Sequence, residues 1–352
     1  MQTCESTQAG GFSLKPPFTI RRVMKAAVIG LGAISKLHIN ALKLRGIDIV
    51  ALCDSVKERA EEAIKEFNLN AKIYSDYKEL LNNESLDVVH ICTPHFLHAP
   101  ISVYALNKNV NVLCEKPIAI SEEQLLDIEA AVKKSKAVFG VCQQNRYNPS
   151  VLYAKKYLEG KNLISAAGTL VWKRDADYYH SGDWRGKKAT EGGGVMINQA
   201  LHTLDILQWF MGMPDSVIAN VSDNSLRGII EVEDTAFGLF KYKDNPNKDF
   251  IINATNAAKY SFPVNISVSD GEHTVVIVGD NLIIDDKFVA TEKGQPVFGK
   301  EVWGTGHISL IKDYYDCLEE HKPFALDFFE ARKVVKLILA MYGSDGAEKE
   351  IK

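Results

Sequence analysis

The chain has 352 residues, of which 46% are hydrophobic and 24% are charged, a composition typical of globular proteins and not of disordered ones. Its 41 Lys and Arg against 45 Asp and Glu give a formal charge of -4, which lacks the basic excess typical of nucleic-acid-binding proteins. No apolar run approaches the roughly 18 residues that a membrane span requires. We therefore expect neither nucleic acid nor a membrane as a partner, and the length predicts two or three domains.

Residues 1–23 are predicted to precede the folded part of the chain. They lack the basic start and apolar stretch of a signal peptide, and they contain Gly10-Gly11 and Pro16-Pro17, which interrupt regular structure. We interpret them as a loose tail, with an arm on a neighbouring subunit as the alternative. The six cysteines form no C-x-x-C pair, so neither a metal site nor a disulfide framework is predicted, and reduced thiols favour a cytoplasmic location.

Alternating strand and helix patterns predict an α/β fold with a parallel, Rossmann-type sheet over residues 24–146. The strand patterns are near-continuous apolar runs, as is typical of strands buried on both faces. In chain order they are Ala26–Ile29, Ile47–Cys53, Lys72–Tyr74, Val88–Cys92, Val110–Cys114 and Val138–Cys142. The predicted helices between them are Ile34–Arg45, Val56–Phe67, Leu97–Asn107 and Glu122–Lys134. This alternation predicts right-handed βαβ units.

Residues 147–352 are predicted to form a second, α+β domain with a mostly antiparallel, open-faced sheet. A helix over Ser150–Leu158 and a strand over Ile164–Lys173 come first, and a glycine triplet at 192–194 precedes an apolar helix that ends near Gly212. The spacing of later strands favours hairpins. These strands are Val217–Val221, Thr235–Tyr242, Phe250–Asn256, Val264–Ser269 and Thr274–Ile284, and two helices, His307–Glu320 and Glu330–Tyr342, follow.

A glycine-rich turn after the first strand predicts a dinucleotide site. In Gly30-Leu31-Gly32-Ala33-Ile34-Ser35 the first glycine allows a tight turn, the second lets the backbone approach a pyrophosphate, and Ser35 is small enough for the third position. The pyrophosphate is expected at the helix N-terminus. Asp54 ends the second strand, where a carboxylate accepts hydrogen bonds from ribose hydroxyls and repels a 2′-phosphate. NAD is therefore favoured, although Lys57 and Arg59 leave NADP open.

Polar residues at the ends of two later strands indicate a ligand site. Thr93-Pro94 follows the fourth strand and Glu115-Lys116-Pro117 the fifth, and open α/β sheets bind ligands at the carboxyl ends of their strands. The helix after the glycine triplet is apolar almost all round, so it is predicted to be buried. Its polar residues share one face, which must line a cavity or be paired internally. They are Asn198, His202, Asp205 and Trp209.

Together these motifs resemble the Gfo/Idh/MocA oxidoreductases, the family of glucose–fructose oxidoreductase and inositol dehydrogenase. The resemblance runs from Lys25 to the C-terminus and rests on five segments, AVIGLGAISKLH (27–38), CTPHFLH (92–98), EKP (115–117), NRYNP (145–149) and EGGGVMINQALHTLD (191–205). It implies that Lys116 contacts both nicotinamide and substrate, that the Lys116–Pro117 bond is cis, and that His202 is the general acid/base. The further cofactor contacts that it implies are Thr93, Pro94, His98, Glu115 and Asn145.

The N-Q-x-x-H form of residues 198–202 is similar to a nucleotide-sugar branch of this family, which includes UDP-N-acetylglucosaminuronate 3-dehydrogenase. The inositol dehydrogenase pattern has Asp at the position of Asn198. The predicted substrate contacts are Asn198, Arg146, Tyr179, Trp184 and Arg185. Arg174 is predicted either to contact a carboxylate or phosphate of the substrate or to lie on the protein surface.

The resemblance implies an NAD(P)-dependent enzyme that transfers a hydride between nicotinamide and a secondary alcohol of a sugar or nucleotide sugar. It also implies a homodimer or homotetramer assembled through the exposed face of the antiparallel sheet. One alternative is an inositol or polyol dehydrogenase. The other is a non-catalytic sensor of NAD or sugar, against which the presence of both Lys116 and His202 argues.

Overall fold

Six strands form a parallel sheet in the computed structural model, which describes residues 22–291 and 306–352. They are β1 (Lys25–Ile29), β2 (Asp48–Cys53), β3 (Lys72–Tyr74), β4 (Val88–Ile91), β5 (Asn111–Cys114) and β6 (Phe139–Val141). Their order across the sheet is β3-β2-β1-β4-β5-β6, which is the Rossmann order. The order in which strands are added to the sheet reverses between β1 and β4. The carboxyl ends of these two strands therefore flank a crevice in which such sheets bind ligands. Of the predicted N-terminal extension, all but residues 22 and 23 lies outside the described residues.

Five helices pack on this sheet, four of them at the predicted places. They are α1 (Ser35–Arg45), α2 (Lys57–Phe67), α3 (Tyr77–Asn83), α4 (His98–Asn107) and α5 (Glu122–Lys134). The Ser121 side chain accepts the N–H of Gln124 at 3.2 Å, which starts α5 by N-capping. Helix α3 was not predicted because its seven residues are too few for a clear period. Its own N-cap, Asp76, accepts the N–H of Glu79 at 2.9 Å.

A second sheet of nine strands confirms the predicted mostly antiparallel domain. Its strands are β7 (Ser165–Val171), β8 (Ser216–Ser222), β9 (Thr235–Lys241), β10 (Asp249–Thr255), β11 (Asn265–Ser269), β12 (Thr274–Val278), β13 (Asn281–Ile284), β14 (Lys287–Val289) and β15 (Glu348–Glu350). Only β7 and β10 pair in parallel within the described sheet. The predicted strand Thr274–Ile284 is a hairpin, because the chain turns at Gly279-Asp280. The three-residue strands β14 and β15 carry too little pattern to be predicted.

Helices cover one face of the second sheet and leave the other face bare. The helices of this part of the chain are α6 (Pro149–Leu158), α7 (Ala176–His180), α8 (Leu201–Met211), α9 (Gly306–Glu320) and α10 (Phe328–Tyr342). Helices α8 and α10 pack on β7 and β8. Phe240, Phe250 and Ile252 are buried beneath the helices, whereas Phe237 and Ile251 on the opposite face are about half exposed. No helix in the described ranges is long and apolar enough to cross a bilayer.

Helix α9 packs on the first domain, although the predicted boundary assigned it to the second. Leu310 and Tyr314 belong to the same buried cluster as Leu37 of α1. An ion pair of 2.6 Å between Arg45 and Asp316 holds the two helices together. The sequence pattern of an amphipathic helix shows which face is buried, but it does not show which domain covers that face.

Candidate active site

The glycine turn between β1 and α1 fits a bound pyrophosphate. Gly30 has a φ of +87°, and a Cβ there would lie 2.6 Å from backbone atoms of Cys92 and Thr93, so only glycine is accommodated. A Cβ on Gly32 would meet no atom within 4 Å, which leaves open space beside the turn. No side chain caps the start of α1, so the positive end of its helix dipole is open to an anion. The small Ser35 is buried at the third position, as predicted.

Asp54 lies beside this turn at the end of β2. One carboxylate oxygen accepts the N–H of Leu31 at 2.8 Å, and the other accepts that of Val56 at 2.9 Å. Arg59 lies 3.5 Å from the same carboxylate. Each carboxylate oxygen has a second lone pair, so the group can still accept ribose hydroxyls. The position therefore fits the cofactor role predicted for Asp54.

The ends of β4 and β5 meet at a turn that His98 holds together. The two ring nitrogens of His98 each lie 2.7 Å from a carbonyl oxygen, those of Thr93 and Pro117. The resemblance implied a cofactor contact for His98, but its ring is buried and both nitrogens are occupied. By contrast, the buried Thr93 hydroxyl has no hydrogen-bond partner among the described residues, so it stays unsatisfied until a bound group pairs with it. The Lys116–Pro117 bond is cis, as predicted.

Glu115 points into the protein, away from the position implied by the resemblance. Its carboxylate lies 3.0 Å from Nε2 of His38 and 3.4 Å from Nε2 of His307. Burial raises the pKa of Glu115, but hydrogen bonds from His307 and His38 outweigh it and hold the pKa well below its usual value. Cys142 Sγ lies 3.9 Å from His38, so three possible metal ligands meet here. The direct hydrogen bond between His38 and Glu115 accounts for their closeness without an ion.

The side chain of Lys116 reaches from the first domain to a residue of the second. Its Nζ donates to the main-chain oxygen of Asn198 at 2.8 Å and lies 3.4 Å from the side-chain oxygen of the same residue. Burial lowers the pKa of Lys116 to about 8. The side chain is therefore mostly an ammonium at neutral pH, and it can lose its proton at mildly alkaline pH.

Asn198 and His202 lie on a helix whose start is held by a buried carboxylate. Residues Met196–Ala200 are π-helical and lead directly into α8. Glu233 accepts the N–H groups of Gly194 (2.8 Å) and Met196 (3.0 Å), and a Cβ at Gly194 would collide with the Glu233 main chain. Gly194 is therefore required for this close approach. The π-helical turn lies where the site residues are, as is frequent at functional sites.

His202 is an uncharged, partly exposed imidazole close to Lys116. Burial, and then the nearby Lys116 ammonium, hold the pKa of His202 well below its usual value. Its Nε2 lies 3.4 Å from Nε2 of Gln144, and its Nδ1 has no hydrogen-bond partner in the described part of the chain. The ring is therefore neutral and has one nitrogen that remains unsatisfied until another group pairs with it.

Arg146 is an internal ion-pair residue, whereas the sequence predicted a substrate contact. Its guanidinium donates to both carboxylate oxygens of Asp205, at 2.8 and 2.6 Å, and to Glu330 at 2.8 Å. The side chain is only 4% exposed. A buried cation requires such partners, and these bonds use the donors that a substrate would need. The polar face predicted on α8 therefore serves two purposes, since His202 lies in the site and Asp205 is paired internally.

Tyr178, and not the predicted Tyr179, faces the site residues. Tyr179 is buried, and its hydroxyl lies 3.2 Å from Nδ2 of Asn256. The Tyr178 hydroxyl accepts from Arg185 at 2.7 Å and from Gln199 at 3.0 Å, and it lies 3.3 Å from Nδ2 of Asn198. The two tyrosines are neighbours on the five-residue helix α7, and so short a helix gives no pattern by which to choose between them.

Two arginines stack on aromatic rings beside this hydroxyl. The Arg185 guanidinium lies 4.6 Å from the ring centre of Tyr178 and 4.5 Å from that of Trp184. The Arg174 guanidinium lies 4.7 Å from Tyr178 and 5.0 Å from Trp172. Neither arginine forms an ion pair with a described carboxylate, in contrast to Arg146. The cluster is therefore a positively charged, aromatic surface next to Asn198.

Comparisons with known proteins agree with this geometry. Residues 24–143 match the model of an oxidoreductase family with an NAD-binding Rossmann fold, and residues 162–284 match the Gfo/Idh/MocA C-terminal domain. Inositol 2-dehydrogenase from Salmonella typhimurium is 30% identical over 195 residues, which cover 53% of this chain and 54% of that protein. Levoglucosan dehydrogenase from Pseudarthrobacter phenanthrenivorans is 30% identical over 174 residues, which cover 49% of this chain and 44% of that protein. The chain thus spans about half the length of the curated relatives it matches.

A solved structure extends the similarity to almost the whole chain. The WlbA dehydrogenase from Bordetella pertussis, crystallised with NADH and UDP-GlcNAcA, has a TM-score of 0.82 and 25% identity. The similarity covers 94% of this chain and 99% of that one, and therefore includes both sheets. The chain belongs to the Gfo/Idh/MocA oxidoreductase family, with an NAD-binding Rossmann domain followed by the family's C-terminal domain.

Proposed function

We propose that the protein is an NAD-dependent dehydrogenase that transfers a hydride between nicotinamide and a secondary alcohol of an acidic nucleotide sugar such as UDP-N-acetylglucosaminuronate. The observation that carries this proposal is the meeting of Lys116 and the helix of His202 through Asn198, beside two arginines that lack carboxylate partners. The similarity to the WlbA dehydrogenase over 94% of the chain supports the same substrate class.

The cofactor residues of the proposal are the turn Gly30–Ile34, Asp54 and the free hydroxyl of Thr93. Pro94 and Asn145 remain predicted contacts. Bound NAD would supply the hydride acceptor, which no side chain can provide. The protein's own residues would hold the cofactor at the turn and set the electrostatics around the reacting alcohol.

The chemical roles follow from the protonation states of two side chains. His202 is neutral at pH 7, so it can take the hydroxyl proton as a general base. Lys116 is mostly an ammonium at that pH, so it can stabilise the developing alkoxide. Activity in the oxidation direction should therefore fall as the pH rises through about 8, because the ammonium is then lost.

The arginine cluster favours an anionic substrate over a polyol. Inositol and levoglucosan carry no charge, whereas a uronate and a diphosphate offer planar or clustered oxygens that guanidinium groups recognise well. Trp184 offers a stacking surface in the same cluster. A polyol dehydrogenase is the second candidate, because the inositol and levoglucosan dehydrogenases reach 30% identity with this chain.

A substrate panel tests this choice. We expect NAD+ reduction, followed at 340 nm, with UDP-N-acetylglucosaminuronate and much slower reduction with myo-inositol and levoglucosan. The double variant Arg174→Gln/Arg185→Gln should raise the KM for the uronate by about 10–100-fold, since hydrogen bonds to charged groups contribute about 1.5–3 kcal/mol. Arg227→Gln, an exposed arginine elsewhere, is the matched control. Faster turnover of inositol, unaffected by the double variant, would favour the polyol candidate, and no turnover of any sugar would favour a sensor.

Asp54 is expected to set the preference for NAD over NADP. Asp54→Ala removes the acceptor for the ribose hydroxyls and the repulsion of a 2′-phosphate, so the ratio of kcat/KM for NAD to that for NADP should fall about tenfold or more. Asp48→Ala, at the exposed opposite end of β2, should leave the ratio unchanged. Cofactor saturation curves for wild type, Asp54→Ala and Asp48→Ala measure this ratio. An unaltered ratio in Asp54→Ala would exclude Asp54 as the residue that sets cofactor preference.

We propose that the bare face of the second sheet is the interface of a homodimer or homotetramer, as the family resemblance implies. Phe237 is 54% exposed and Ile251 is 48% exposed on neighbouring strands, and such apolar patches are typical of interaction surfaces. Phe237→Glu/Ile251→Glu should shift the molar mass measured by light scattering towards one chain. Leu44→Glu, at a more exposed site on α1, should leave the molar mass unchanged. A wild-type protein that is already monomeric would refute the interface.

A further inference from the structure

Glu191 is a buried carboxylate to which the proposed reaction gives no role. It directly precedes the glycine triplet, and the residue has no exposed surface. One of its oxygens accepts from Nδ2 of Asn198, and the other accepts the N–H of Gly186 at 2.5 Å. Within the described chain it forms no direct ion pair. Burial raises the pKa of Glu191 above its usual value, whereas the hydrogen bonds from Gly186 and Asn198 and the charges of Arg185 and Lys116 oppose that shift and favour the carboxylate.

The carboxylate determines which way the Asn198 amide points. An ionised carboxylate can only accept hydrogen bonds, so it selects the NH2 end of the amide. The amide oxygen is thereby turned towards Lys116, 3.4 Å from Nζ, while the main-chain oxygen of Asn198 accepts from the same Nζ at 2.8 Å. With the amide reversed, its NH2 group would face the ammonium, and two donors would oppose each other.

We propose that Glu191 is a positioning residue that orients Lys116 through Asn198 and supplies a negative charge that favours the ammonium form of Lys116. This inference rests on the proposed dehydrogenase function, and it adds a residue to that site. Glu191 lies in the segment that carries the family resemblance, but the sequence alone indicates no role for it, because an acid before glycines has no distinctive pattern of its own.

The charges around Lys116 agree with this role. Burial lowers its pKa to about 8, Glu115 opposes that shift, Arg185 adds to it, and Glu191 opposes it. The other titratable groups that face Lys116 are the imidazoles of His95, His98, His202 and His307, whose pKa values are all lowered chiefly by burial. Loss of the Glu191 charge should therefore lower the pKa of Lys116 further, so the ammonium is lost at a lower pH.

The test measures the ionisation of Lys116 directly, without any turnover. The probe is an amine-reactive acylating reagent in trace amount, and the labelled fraction of Lys116 is read by mass spectrometry as a function of pH. Because only the neutral amine reacts, a lower pKa means faster labelling. In Glu191→Gln, which keeps the shape and removes the charge, labelling at pH 7 should be about two- to tenfold faster than in wild type. Glu191→Asp, which keeps the charge, should stay close to wild type.

The control is Asp234→Asn, which removes a buried carboxylate of the same domain. Asp234 accepts the N–H groups of Asn224, Ser225 and Leu226, and it is not among the charges that shift the pKa of Lys116. It should lower the melting temperature without changing Lys116 labelling. Equal labelling of Lys116 in wild type and Glu191→Gln overturns the proposal, as does an equal change in Asp234→Asn.

Kinetics separate this inference from the proposed function. With an active substrate, the alkaline fall of kcat/KM should begin at a lower pH in Glu191→Gln, and the KM for NAD should stay near the wild-type value. Faster labelling in a protein that oxidises no sugar would refute the dehydrogenase function and support the link between Glu191 and Lys116. Normal turnover with unchanged labelling and an unchanged alkaline limb would refute the link alone.

Discussion

His202→Ala is expected to lower kcat by about 10²–10⁴-fold, the usual contribution of a general base. The imidazole is uncharged at neutral pH because burial and the Lys116 ammonium lower its pKa, and its Nδ1 has no partner among the described residues. For the same reason, kcat/KM of the wild type should not fall on acidification until the pH is well below the usual histidine value. Steady-state kinetics at saturating substrate and NAD measure the effect.

Two further variants serve as a control and a comparison for His202→Ala. His273→Ala removes an exposed histidine far along the chain and should keep wild-type kcat. Lys116→Ala should impair both kcat and NAD binding, since the family resemblance places Lys116 against nicotinamide and substrate. NAD affinity, measured by fluorescence titration, should stay near wild type in His202→Ala. Wild-type kcat in His202→Ala would remove this residue from the mechanism and leave Lys116 as the base.

Arg146→Ala is expected to destabilise the fold by about 3–5 kcal/mol, the cost of breaking a buried ion pair on one side. The substitution leaves the carboxylate of Asp205, which is almost fully buried, without its countercharge, and it removes one of the two ion-pair partners of Glu330, which keeps Lys333. Urea unfolding monitored by circular dichroism gives the free energy of unfolding. The double variant Arg146→Met/Asp205→Leu should recover much of the loss, because neither charge is then left buried alone.

Arg332→Ala is the matched control for this effect. Its ion pair with Glu129 is partly exposed, and such pairs contribute about 1 kcal/mol or less. If Arg146→Ala were as stable as wild type and raised only the KM for substrate, the internal ion pair would make no contribution to the stability of the fold. The substrate contact predicted from the sequence would then be correct.

The fold could be predicted because its patterns are local. Strands such as Ala26–Ile29 are continuous apolar runs, and the turn at Gly30 is indicated by the glycine spacing and by the acid at Asp54. The glycine requirement is a backbone property, which a sequence shows directly. The parallel sheet and the two-domain arrangement follow from the alternation and from its end near Pro149.

The partners of polar side chains could not be predicted in the same way. Arg146 lies in a family motif, but its partners Asp205 and Glu330 are distant in the sequence, and only the folded chain brings them together. Glu115 and His98 follow strand ends, where ligands are expected, yet they are turned inward by groups from other elements. No pattern in a single sequence distinguishes a polar residue that binds a ligand from one that is satisfied internally.

Isotope transfer tests the central claim most directly. The protein is incubated with NAD+ and UDP-N-acetylglucosaminuronate that carries deuterium on the sugar carbon C3, and the reduced cofactor is analysed by mass spectrometry. We predict that the NADH formed is one mass unit heavier than NADH from the unlabelled substrate. Formation of unlabelled NADH would mean that another position is oxidised, and the absence of NADH formation, together with its appearance when inositol is supplied, would contradict the proposed substrate.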